Sequence, residues 1–197
     1  MKFQSAASIF SVCPYCRSML VRKDLSLESL GKMAILQEDM SPLQIGTQGR
    51  FEKVSFSVIG RLKIRWDDGY WNEWCLLMDD ARTGWLAEAQ GFYMVSFAHE
   101  IPKDLPPASE LTTGSTLVLD RQPYEVDDRR KCWCEGSEGE LPFKAPQGKE
   151  MFNVDLTGPG EKFASLSFTD EGCELYVGRY VEFEELRFTQ LRPLNGW

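Results

Sequence analysis

Apolar and polar residues alternate along 51–64, where Val54, Phe56 and Val58 fall on one side of an extended chain. A period of two is the signature of a strand with one buried face. Similar short runs, rich in aromatic and β-branched residues, follow at "YWNEWCLLM", "GWLAEA" and "GFYMVSF". Turn residues such as those at 67–69 ("DDG") and 79–84 ("DDARTG") separate them. This spacing predicts an antiparallel meander or a small barrel. Residues 100–114 hold three prolines and no usable alternation, which predicts a linker. Strand patterns then resume in "STLVLD", "QPYEVDD", "RKCWCEG", "ELPFKA", "MFNVDLTG", "KFASLSFT", "CELYVGRYV" and "FEELRFTQL". One short helix is expected over 24–33, with Asp24 as its cap, Leu27 and Leu30 facing inward and Gly31 ending it.

The predicted architecture is mostly β: two small related antiparallel β lobes, barrel or sandwich-like, preceded by a zinc knuckle. Its boundaries are a knuckle and short helix over 1–40, a first β lobe over 41–100, a Pro-rich linker over 101–113 and a second β lobe over 114–197. An internal repeat is suggested by laying the run from Trp71 beside the run from Met151, since both read strand, turn, strand, Gly turn, aromatic strand. The alternative is that any two antiparallel meanders share that rhythm.

Composition narrows the classes. The chain has 197 residues, 43% of them hydrophobic and 26% charged, which suits a globular protein with its own core. Its formal net charge of −8 argues against nucleic acid as a partner, because such binding needs a concentrated basic surface. No apolar run approaches the length of a membrane span, and the first residues do not read as a signal peptide, so a cytoplasmic location is expected.

The cysteines carry the most specific chemistry. Cys13 and Cys16 form a C-P-x-C knuckle, and Cys132 and Cys134, at i and i+2, share one face of an extended segment. Cys75 and Cys173 are single, and His99 is the one histidine. A structural zinc held by Cys13, Cys16, Cys132 and Cys134 uses these residues most economically. A metal shared between two chains, a site completed by His99, iron in place of zinc, and idle thiols are the alternatives. Arg17, Arg22 and Lys23 follow the first pair and Arg129, Arg130 and Lys131 precede the second, where they would offset thiolate charge.

Glu138 and Glu140, among the glycines of "CEGSEGELPF", and Trp71 and Trp133 are candidate ligand-binding residues. The tryptophans Trp66, Trp71, Trp74 and Trp85 would make either a stacking wall for a ligand or ordinary cross-strand packing. The paired aspartates at 67–68, 79–80 and 127–128 read as turn residues rather than as catalytic groups. No nucleophile with an adjacent base and no phosphate-cradling glycine loop is visible, so no catalytic residue is assigned.

The stretches "PLQIGTQGRFEKVSFSVIGRLKIRW", "WNEWCLL", "GWLAEAQGFYMV", "YEVDD", "EGELPF" and "DLTG" resemble the bacterial domain of unknown function 4178 family, over roughly 42–186. Some members are similar in carrying an N-terminal, zinc-ribbon-like C-P-x-C. The family has no established activity, and the resemblance implies a role beside membrane-stress and polyamine-related neighbours. Cys75 departs from the aromatic residue expected after W-N-E-W. Together these features lead to the expectation of a non-enzymatic, zinc-stapled interaction or scaffold module with a protein partner. The alternative is a binder of polyamines or other small cations, or an enzyme, using an acidic pocket between the lobes.

Overall fold

The computed structural model describes residues 3–23, 26–34, 36 and 40–193. Among them thirteen strands join in one antiparallel sheet, and no helix is long and apolar enough to cross a membrane. An N-terminal group comprises β1 (Phe10–Val12), β2 (Ser18–Lys23) and β3 (Ser26–Lys32). β4 (Gln48–Phe51), β5 (Val54–Trp66), β6 (Gly69–Met78), β7 (Thr83–Ala89) and β8 (Phe92–His99) follow. After an irregular stretch come β9 (Thr116–Leu119), β10 (Gln122–Leu141), β11 (Glu150–Thr157), β12 (Lys162–Thr169) and β13 (Gly172–Val181). A single turn of 3-10 helix, Phe183–Leu186, ends the described structure's regular elements.

Eight of these strands close on themselves. The hairpin-linked run β5-β6-β7-β8 pairs through β8 with β13, and β13-β12-β11-β10 returns to pair with β5. The strands of the first and second halves of the chain are therefore two arcs of one ring-like barrel. Closure removes the free edges that would otherwise invite aggregation, and eight strands leave an interior able to hold side chains or one small ligand.

Alternation is turned inside out on much of this ring. Val154, Leu156, Ala164, Leu166 and Leu175 are buried on the outside, under Leu105, Leu111, Leu117 and Leu119 of the 101–119 segment. On the other arc Trp74, Leu76, Leu86 and Val95 pack outward beneath Leu43, Phe51 and Leu186. The Pro-rich stretch is thus a strap over the barrel wall. Hydrophobic cover on the outside frees the inward positions to be polar.

The helix expected over 24–33 is corrected: 26–32 is strand β3, hydrogen-bonded to β2. The proposed cap, Asp24, lies outside the described residues. Leu20 faces Ser29 while Ser18 faces Lys32, so β3 carries one extra residue beside Gly31 (φ 113°). A bulge with a glycine in the left-handed region shifts side-chain phase and imitates helical spacing. A second difference is at Asp127–Asp128, which lie at a register shift within β10 rather than in a turn.

Candidate functional site: the barrel lumen

The inside of the ring is a cavity of about 790 Å³. Its two arcs differ in chemistry. From β5–β8 come Leu62, Ile64, Trp66, Trp71, Trp85, Ala87 and Met94, an apolar and aromatic wall that carries a single carboxylate, Glu73. From β10–β13 come Asp128, Arg130, Asn153, Asp155, Ser165, Ser167 and Tyr176, a hydrogen-bonding wall. Strand geometry accounts for both, since residues two apart share a face.

Trp71 and Glu73 are such a pair, and the indole Nε1 of Trp71 donates to Glu73 Oε1 at 3.0 Å. The Trp66 and Trp71 rings lie 5.4 Å apart, and the Arg130 guanidinium sits 4.7 Å from the Trp66 centroid. Farther along the lumen Trp85 stacks on Phe143 at 5.6 Å and meets the edge of Tyr176. Phe143 belongs to the loop after β10, and in the same region Lys149 pairs with Glu171 at 2.6 Å.

On the opposite wall Asp155 faces Asp128 on β10 and Ser165 on β12. Ser165 Oγ donates to Asp155 Oδ1 at 2.8 Å, and Ser167 Oγ donates to Asn153 Oδ1 at 3.0 Å. Arg130, on β10 of this wall, is ion-paired with Asp128. Glu73 and Asp155 are enclosed by the barrel, and the surface they expose faces the lumen.

Enclosure disfavours a charged carboxylate. It raises Glu73 to about 7, helped by the charges of Asp155 and Glu174 and opposed by the Trp71 hydrogen bond. It raises Asp155 to about 6, opposed by the Ser165 hydrogen bond and by Arg130 and reinforced by Asp128 and Asp127. Glu73 and Asp155 thus project into the lumen with hydrogen bonds from the neutral donors Trp71 and Ser165.

Of the four residues proposed from the sequence for ligand binding, one lines this space, together with Trp66 and Trp85 of the expected tryptophan wall and Cys134 of the second cysteine pair. Trp71 is that one, half-buried and engaged with Glu73. Trp133 lies outside the lumen, between Arg65 and Lys131, whose charged groups are 4.9 and 5.7 Å from its ring centroid. Glu138 pairs weakly with Arg61 at 3.5 Å. Glu140 is buried and accepts the backbone N–H groups of Gln4, at 2.8 and 2.9 Å, and Ser5, at 3.2 Å. It anchors the N-terminal segment to β10. Glu73, Asp155 and Tyr176 were missed. The signal for the first was present in "WNEW", where Trp71 and Glu73 share a face, and for the second in "MFNVDLTG", where Asn153 and Asp155 alternate with Val154 and Leu156.

The two cysteine pairs sit in different surroundings. Cys13 and Cys16 sit on the tight β1–β2 turn, where the Cys13 amide donates to Ser18 O and the Arg17 amide donates to Cys13 O. Cys16 is exposed, and hydrogen bonds with the Ser18 hydroxyl and backbone, then Cys13, lower its thiol to about 7. Cys132 and Cys134 are buried, and their thiols donate to the carbonyls of Met151 and Ala145. Burial pushes both up to about 12. Among the described residues no group of three or more His, Cys, Asp or Glu side chains is placed to hold a metal ion.

A family-wide sequence profile, described as a domain of unknown function (DUF4178), matches residues 44–183, and the chain belongs to that family. The matched span contains every strand of the barrel together with the strap, and it leaves out β1–β3. No curated protein and no solved structure matches the chain significantly.

Proposed function

We propose that this member of the DUF4178 family is a non-enzymatic binding protein that takes a small organic cation into its barrel, linear polyamines being the first class to test. The observation that carries the reading is the pair Glu73 and Asp155, enclosed in an aromatic-walled lumen and hydrogen-bonded by the neutral groups Trp71 Nε1 and Ser165 Oγ. An enclosed carboxylate with little cationic compensation is disfavoured in its charged form, and a ligand ammonium would supply countercharge. Tryptophan faces favour both the ammonium and the methylene groups of such a ligand. The lumen is of the size typical for small-molecule sites.

Thermal-shift titration with putrescine and spermidine tests this directly. A ligand at about 100 times its Kd adds about 2.7 kcal/mol to the folded state, so Tm should rise with concentration. Glu73→Gln and Asp155→Asn should each reduce the rise. No concentration-dependent rise with either amine, at millimolar levels, overturns the reading.

A structural zinc, as expected from the sequence, would be centred on the N-terminal turn. Cys13 and Cys16 would supply two thiolates, half of a tetrahedral shell, and the remaining ligands would come from outside the described residues. A partner protein, expected from the sequence, would then act through the β1–β3 extension rather than through the lumen.

A further inference from the structure

We infer that the cation enters the lumen in exchange for protons held by Glu73 and Asp155, so that the barrel loads at neutral pH and empties as the medium becomes acidic. The inference rests on the cation-binding reading above and names the regulation of that same site.

The argument begins with what surrounds each carboxylate. Glu73, on β6, is opposed on neighbouring β5 and β7 by Leu62 and Ala87, neither of which bears charge. Asp155 on β11 and Glu174 on β13 are acidic side chains whose charge acts on it from across the ring, and Cys132 on β10 and Tyr176 on β13 are the other titratable groups in its reach. Asp155 is flanked by Ser165 on β12 and by Asp128 on β10, and Asp127 is a further anion near it. Among the described residues the cation acting on Asp155 is Arg130, already tied to Asp128. Two enclosed acids with these neighbours retain protons well above the usual carboxylate range when the lumen is empty.

An alkylammonium keeps its own proton, because its pKa is about 10. Its arrival therefore reverses the balance: the ligand charge stabilises the carboxylates, and each acid that was protonated releases its proton to solvent. Nothing else is exchanged. Carboxylic acid plus ammonium becomes carboxylate–ammonium pair plus solvated proton. By linkage, affinity must rise with pH wherever the empty protein binds more protons than the loaded one.

Isothermal titration with spermidine over about pH 5.5 to about pH 7.5 reads this out. Taking Glu73 at about 7 and Asp155 at about 6, Kd should fall on the order of 100-fold across that range. In buffers of different ionisation enthalpy, the heat at about pH 6 should report proton release on binding. Glu73→Gln should flatten most of the pH dependence and Asp155→Asn a smaller part. Carboxyl ¹³C titration of the ligand-free protein gives a second measurement that needs no ligand. Binding that persists with a flat Kd and no proton release overturns the exchange while leaving the cation-binding reading in place. Glu73 and Asp155 titrating at ordinary carboxylate values overturns it as well. Failure of spermidine to bind at any pH overturns both.

Discussion

Cys16 and Cys132 have the same side chain and opposite chemistry. The first is exposed and its thiol is lowered to about 7 by hydrogen bonds from Ser18 and Cys13. The second is buried, and so are Cys75 and Cys134; burial raises all three to about 12. Since the thiolate is the reactive species, iodoacetamide near neutral pH should label Cys16 first and leave these three unmodified until the chain is denatured. Peptide mapping by mass spectrometry measures the order, and equal labelling of Cys16 and Cys132 in the folded protein would contradict it. Zinc at the turn would protect Cys16 until a chelator is added, which makes the same experiment a readout of metal. Sequence spacing placed Cys132 and Cys134 on a common face but could not say that the face looks into a barrel. For the same reason Trp71 was noticed while its neighbour on that face, Glu73, was not: without knowing which side is the lumen, a lone acid in a strand reads as solvent-facing.

Strands were legible where their alternation is regular, as in β12, and along β5 despite its register shift between Val58 and Gly60, whereas β3 was misread where a bulge breaks the phase. Leu27 and Leu30 have helical spacing because β3 accommodates an extra residue at Gly31. The twenty-residue β10 was read as three pieces, since it has register shifts between Val126 and Asp128 and between Cys134 and Gly136. Those irregularities let one strand serve β9, β11, β5 and β1 in turn. A different local constraint holds the opposite seam, where β13 meets β8. Gly178 pairs with Ser96, and a Cβ there would overlap the Val95 carbonyl oxygen and the Ser96 backbone. Backbone cannot move aside as a flexible side chain can, so Gly178→Ala should destabilise the fold by about 2–3 kcal/mol. Gly91→Ala, with nothing within 4 Å of its Cβ but φ at 87°, should cost about 1 kcal/mol through backbone strain alone. Urea denaturation of the two variants measures the contrast, and a Gly178→Ala loss no larger than that of Gly91→Ala would show that the seam is not the tight point.

At the scale of the whole molecule, the halves of the chain depend on each other. The strand-rich character of 41–100 and of 114–197 could be read from the sequence, but their joining could not, because pairings such as β5 with β10 and β8 with β13 link residues far apart in the chain and leave no local pattern. Each arc alone would expose two raw strand edges and the inward faces that now line the lumen. The outer hydrophobic clusters cross the same divide: Val181 and Leu186 pack with Trp74 and Leu86 of the first arc. Neither 41–100 nor 114–197 should therefore fold when produced alone. Mixed together they should regain strand signal by circular dichroism only as a stoichiometric complex. The intact chain should unfold in one cooperative transition, with tryptophan fluorescence and circular dichroism giving coincident midpoints. Two separated transitions, or a stable folded fragment of either half, would mean that the lumen is not closed by these seams, and the basis for placing a ligand between Glu73 on one arc and Asp155 on the other would be lost with it.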